Sequence, residues 1–246
     1  MMSPLPLDMP DDYPWLPSST RYPLADLGEQ AVRLGSPVTF DRRGEVVWYD
    51  VGDRGLSPYI CNQYGTGAIV RPVTVYTLHG GYAIQLVAGS NGDHAAEIAK
   101  IISNLQMQRG GLEAAFHLPT YGDAFDIEVR HYTGAVSQRG VVRIDYADDK
   151  MKYLGDDDNF HEIATIGTVA TSYWIYHHSK VVVDFDANRY MRLLFDDEQY
   201  DLSAYALNSV ASAEQRHYWL SVRMTGRLTY NDAACVGHII LTGNEL

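Results

Sequence analysis

Basic residues are scarce in this chain: 19 Lys and Arg stand against 31 Asp and Glu, a formal net charge of −12. No run of Lys or Arg offsets that balance, which excludes nucleic acid and anionic membranes as partners for the surface as a whole. Cysteine is nearly missing, with only Cys61 and Cys235. A disulfide framework is therefore excluded, and no Cys/His cluster has zinc-site spacing. The two thiols could pair if the fold joined the ends of the chain. With no secretory signal, they are expected to be free and buried. No apolar run reaches membrane-spanning length, and residues 1–10 contain neither a basic stretch nor an apolar one. Any Asn-x-Ser/Thr acceptor is also absent, so the sequence predicts a soluble, non-exported protein, cytoplasmic by default. Gly-x-Ser-x-Gly is missing, and Gly65-Thr66-Gly67 lacks the Lys of a phosphate loop. Serine hydrolysis and nucleotide binding therefore lack their local marks.

What is present is tyrosine and a period of two. There are 18 Tyr against 6 Phe. Tyr suits half-buried strand faces, where one end of the ring is dry and the other wet. From Phe40 onward apolar and polar residues alternate. Phe125, Ile127 and Val129 alternate with Asp126, Glu128 and Arg130. Val181, Val183 and Phe185 alternate with Lys180 and Asp184, and Leu220, Val222 and Met224 with Ser221, Arg223 and Thr225. Val236 to Thr242 is almost continuously apolar, as in a strand buried on both faces. Such alternation, cut by Gly, Asp and Asn turns, predicts antiparallel sheets with one dry face each. The predicted fold class is all-β, a two-sheet antiparallel sandwich. His94 to Leu105 is ambiguous: its Ile98, Ile101, Ile102 and Leu105 fit helical spacing, but strands flank it on both sides. We assign it as a strand on that context.

Residues 1–38 hold Pro4, Pro6, Pro10, Pro14, Pro17, Pro23 and Pro37. Proline fixes φ and removes a ladder donor, so this segment is expected to be an extended N-terminal arm, with a short helix only at Ala25 to Leu34. The domain proper is expected at 39–246. The arm could wrap that domain or grip a neighbour in a homo-oligomer.

Several phrases, in order, resemble the concanavalin A-like jelly-roll superfamily of lectins, laminin-G domains and glucanases. Gly81 to Val87 is similar to an early strand of that fold, and Gly111 to Phe116 to the Leu-Glu-x-x-Phe strand after it. His178 to Asp184 with Tyr190 is similar to the central hairpin, and Val236 to Thr242 to the closing strand. The resemblance spans roughly residues 40–246 and implies a jelly roll. Function does not follow from it, since the fold hosts lectins, hydrolases, lyases and inert modules.

The chemistry-bearing candidates are few. The glucanase motif Glu-x-Asp-x-x-Glu does not occur. Asp126 and Glu128 share a strand face, but without a third carboxylate they most simply mark its wet side. Asp184, Asp186 and Asn188 have the Asp-x-Asp-x-Asn spacing of a calcium loop. Arg189 and Phe195 break the rest of that pattern, and a hairpin turn explains the same residues. Calcium is thus a candidate ion, not a requirement. His177 and His178 face opposite ways in a strand and cannot share a metal without a bulge. Trp174, Tyr176, Tyr218 and Trp219 are the candidate sugar-stacking aromatics, with one face of each strand expected to be core. The sequence thus points away from an enzyme. It favours a non-catalytic binding module, most simply for carbohydrate. The alternatives are a shell or particle-surface subunit using the arm, and a glycoside hydrolase or polysaccharide lyase with an atypical site.

Overall fold

The computed structural model describes residues 40–41, 43–78, 81–103, 105–118, 124–166, 175–227 and 232–246. The arm expected at 1–38 lies outside them, as does Trp174. Among the described residues there is no helix, hence none long and apolar enough to cross a membrane.

Two antiparallel sheets of eight strands each form a sandwich. The first contains β1 (Glu45–Asp50), β3 (Ile69–Val73), β4 (Ala83–Val87), β6 (Arg109–His117), β11 (His177–Asp184), β12 (Arg189–Phe195), β13 (Glu198–Asp201) and β16 (Ala233–Gly243). The second contains β2 (Ile60–Tyr64), β5 (Ala95–Ser103), β7 (Ala124–Tyr132), β8 (Val136–Asp145), β9 (Lys150–Leu154), β10 (Phe160–Thr165), β14 (Asn208–Ala211) and β15 (His217–Thr225). Strand order is β13-β12-β11-β6-β16-β4-β3 in the first sheet, with β1 also on β16. It is β10-β9-β8-β7-β15-β5-β2 in the second, with β14 on β8. These pairings are the two-sheet jelly roll that the alternation predicts.

Alternation decides which face is dry. Leu112, Ala114 and Phe116 of β6, with Val181 and Val183 of β11, meet Phe125, Ile127 and Val129 of β7 and Leu220, Val222 and Met224 of β15 in one core. Phe116 stacks on Phe125 across the two sheets at 4.3 Å. The ambiguous 94–105 segment is strand, because β2 and β15 pair it on both edges. Its misplaced cation, Lys100, is only half-buried and reaches the Trp48 ring at 5.9 Å. Ladder hydrogen bonds and burial of Ile98 outweigh helix propensity here.

Tyrosine supplies what phenylalanine could not. Fully buried Tyr190 on β12 crosses to the other sheet, where its hydroxyl accepts from Val141 N–H (2.9 Å) and donates to Leu154 C=O (2.9 Å). Tyr218 on β15 likewise holds both backbone polar groups of Met107, accepting at 3.1 Å and donating at 2.7 Å. Both cysteines are free, Cys235 buried and Cys61 half-buried.

Over its central strands β6, β11 and β16 the outer face of the first sheet is itself buried. Lys180, with no exposed side-chain surface, pairs with Asp41 at 3.1 Å and Glu245 at 2.8 Å and donates to the Arg43 carbonyl at 3.0 Å. Glu245 also pairs with Arg192 at 2.6 Å. Gly111 clears the space: a Cβ there would stand 2.7 Å from Lys180 Cε and 2.6 Å from Thr242 Oγ1. Burial alone would raise the Asp41 carboxyl, but Lys180 and Arg43 beside it hold it below its ordinary range.

Candidate functional site: a charged groove on the second sheet

The outward residues of β5, β7, β8 and β15 line a groove of about 540 Å³, closed at one side by Phe160 of β10. Strand register arranges them in rows. In one row Asn62, Glu97, Arg223, Asp126, Arg143 and Lys152 follow one another across six strands. Ile101, Trp219, Arg130, Arg139 and Asn208 form another. From Glu97 to Arg143 the signs alternate, as favourable cross-strand neighbours do, whereas Arg143 stands opposite Lys152 and Arg130 opposite Arg139, like charges in register.

The pairing is uneven. Arg143 grips Asp126 with two hydrogen bonds, 2.7 and 2.8 Å, and lies 3.9 Å from the Phe160 ring centroid. Glu128 is shared by two cations: Arg130 donates to it at 2.6 Å and Arg139 at 3.1 Å. Burial works against the Arg130 cation, but Glu128 raises its pKa overall. Glu97 accepts from Asn62 at 2.9 Å and Tyr64 at 3.1 Å. Burial, then the Glu97 charge, raises the Tyr64 phenol. Arg223, between Glu97 and Asp126 in register, forms no ion pair with either. Its buried Nε has no hydrogen-bond partner, and its guanidinium lies 5.2 Å from the Tyr64 ring centroid. Tyr132 and His217 stack at 4.4 Å at the far end of the groove.

The structure separates the four expected aromatics. Trp219 lines the groove. Tyr218, the next residue back, faces the core with none of its surface exposed, which corrects its assignment as a sugar platform. It shares parity with Leu220, Val222 and Met224, a signal that was available in the sequence. Tyr176 sits beside the first sheet, where it packs edge-on against His117 at 5.0 Å and donates to the Tyr76 carbonyl. Trp174 is outside the described residues.

The Asp184-x-Asp186-x-Asn188 segment forms the β11–β12 turn, with Asn188 at φ 51°. Asp184 accepts from Ala187 N–H at 2.8 Å and from Arg109 at 2.9 Å. Burial raises its pKa, but the Ala187 N–H and Arg109 hold it below the ordinary value. Asn188 Oδ1 accepts from Gln138 at 3.1 Å and Ser209 at 2.9 Å. Only Asp186 remains exposed. These contacts account for the spacing as turn chemistry. Asp126 and Glu128 do face outward, yet they are nearly buried beneath their arginines. What sequence reasoning missed is the pairing: Arg130 reaches Glu128 from two residues on along β7, and Arg139 and Arg143 reach the acids from β8 through strand register.

No family model matches the chain, and no curated protein matches it. Solved structures do. A sialidase superposes with a TM-score of 0.50 at 10% identity over 82% of this chain, which spans only 19% of that sialidase. An alginate lyase, vAL-1 from Chlorella virus, gives 0.49 at 10% identity over 81% of this chain and 100% of its own. The carbohydrate recognition domain of Emp46p gives 0.45 at 8% identity over 78% and 91%. At such identity the likeness concerns fold alone, and the fold is the concanavalin A-like jelly roll.

Proposed function

We propose that this protein is a non-catalytic binding module and that the groove on its second sheet takes an anionic saccharide. The carrying observation is Arg223, a cation held in the groove by packing on Tyr64 and engaged by no carboxylate. Its surroundings support the reading. The chain carries −12, yet the groove strands set Arg130, Arg139, Arg143 and Arg223 against only Glu97, Asp126 and Glu128. Asp158 and Glu214 lie at the rim. A guanidinium suits a carboxylate, and a neighbouring indole suits the apolar face of a sugar ring. Trp219 lies directly beside Arg130 and one rung from Ser221, giving an apolar surface between polar anchors.

Glycosidase chemistry has less support. A general acid needs a carboxyl raised by apolar surroundings. Asp126 is clamped by one arginine and Glu128 by two.

Calorimetry with uronate-bearing oligosaccharides and their carboxyl-reduced counterparts, with and without calcium, tests the reading. The expected result is binding of the acidic form, insensitive to calcium, that weakens at least about tenfold in Arg223→Gln and in Trp219→Ala. Equal binding of the neutral form, or acidic binding untouched by Arg223→Gln, would overturn it.

A further inference from the structure

The first sheet carries a second constellation that the groove does not use. Glu113 on β6, His178 on β11 and His238 on β16 come from three adjacent strands. His178 and His238 both stand opposite Ala115, one on each flank. Glu113 is two residues from Ala115 and so points from the same face. One carboxylate oxygen and one nitrogen from each ring lie within 4.8 Å of one another. His238 Nε2 and Glu113 Oε1 are 3.1 Å apart.

Local sequence builds this convergence. Residues 234 and 236 of β16 face the core, as do 239 and 241. The phase changes at a bulge between Val236 and His238. The extra residue is Gly237, where a Cβ would lie 2.7 Å from the Tyr176 ring. Without the bulge His238 would point into the core; with it His238 joins Glu113 and His178, the re-aiming that bulges perform. Ala115 keeps the space between the rings open. A buried carboxylate also needs partners. Glu113 is fully buried, and its Oε2 has no hydrogen-bond partner. The nearest cation in register, Lys180, is turned to Asp41 and Glu245.

We propose that Glu113, His178 and His238 bind a divalent transition-metal ion, with zinc the best fit. Two imidazoles and a carboxylate are a common donor set for zinc. Tetrahedral zinc places its ligand atoms roughly 3.3 Å apart; the His238–Glu113 pair already stands at 3.1 Å, and a pair at the 4.8 Å limit would close by about 1.5 Å on binding. Imidazole donors disfavour calcium, which takes oxygen. His178 is the half-buried member and gives the ion its approach; the Phe40 ring stacks on it at 5.3 Å. The site is on the sheet opposite the groove, so it stands or falls apart from saccharide binding.

The test is zinc titration of the chelator-treated full-length chain by calorimetry, with calcium in parallel. One zinc per chain is expected, no calcium, and a higher unfolding temperature with zinc. X-ray absorption on the zinc-loaded wild type should show two imidazoles and an oxygen donor. His178→Gln and Glu113→Gln should each weaken zinc more than about 100-fold, since even residues behind the ligands alter affinity 10- to 100-fold. Absence of stoichiometric zinc binding, a shell without two imidazoles, or a folded His178→Gln variant with unchanged affinity would overturn the site. The wild-type spectrum decides even if a variant fails to fold.

Discussion

The outer faces of the two sheets use charge in opposite ways. On the second sheet, guanidiniums and carboxylates lie in open rows, and one guanidinium, Arg223, is engaged by no carboxylate. On the first, charge is closed in: Lys180 and Glu245 are fully buried, and Asp41 completes the cluster. A buried ion costs several kcal/mol to desolvate and is tolerated only when its partners are complete. An exposed or half-buried one is cheap to hold and free to meet a ligand. The contrast teaches that around Lys180 the first face serves cohesion, whereas the second leaves a cation free for the recognition proposed for it.

The sharpest way to break the contrast is to uncouple the buried cluster. Lys180→Met should leave Asp41 and Glu245 without the cation they share, each keeping one arginine, Arg43 and Arg192, and lower stability by about 3–5 kcal/mol. Denaturant unfolding at neutral pH measures it. A loss under about 1 kcal/mol would show that this face tolerates bare charge as the groove does. Tyr190→Phe comes next. It strips the Val141 N–H and Leu154 C=O of their partner, at a cost of about 1–3 kcal/mol in the same measurement.

The contrast was only half legible in the sequence. Alternation along β7, β11 and β15 gave the sheets, the core and the wet face. It gave the acids of the groove too, since Asp126 and Glu128 sit opposite apolar Phe125 and Ile127. Their arginines come from other strands, or from the same strand two residues on, and no local pattern ties Arg143 to Asp126. The His178–His238 meeting needed still more: pairing of three strands and a one-residue phase change at Gly237. Where one strand's own period sufficed, as for Tyr218 beside Leu220, the residue could be placed; where register decides, it could not. The turn at Asn188 was readable because left-handed φ favours that residue, which adopts it.

Acid should separate the faces further. His117 of β6 is buried, packs edge-on against Tyr76 and Tyr176, and neither ring nitrogen has a hydrogen-bond partner. Burial, then the charge of nearby His177, lowers its pKa from 6.5 to about 4. A proton therefore binds the unfolded chain more tightly. His117 contributes stability above pH 6.5, and this is lost as pH falls towards 4. Asp41 acts in a lower window: its depressed pKa gives stability that is present above the unfolded value of 3.8 and lost below it. Thermal unfolding from pH 7 to 4 should show the midpoint falling, and His117→Phe should flatten that decline by a few degrees. An unchanged profile would mean that the imidazole finds water as it ionises.

The smallest expected effect on stability is the most telling for the groove. Arg223 shares no hydrogen bond with Glu97 or Asp126, so Arg223→Gln removes a cation and its stacking on Tyr64 but strands no buried partner. Glu97 keeps Asn62 and Tyr64, and Asp126 keeps Arg143. Stability should change by less than about 0.5 kcal/mol, the range of a side chain outside any buried network. The same substitution should weaken acidic saccharide at least about tenfold. The pairing of a negligible stability change with a large binding change is what distinguishes a recognition cation from a structural one. If denaturant unfolding instead shows a loss above about 1 kcal/mol, Arg223 is holding the sheet together by its field on Glu97 and Asp126. The two outer faces would then differ only in how much water they admit.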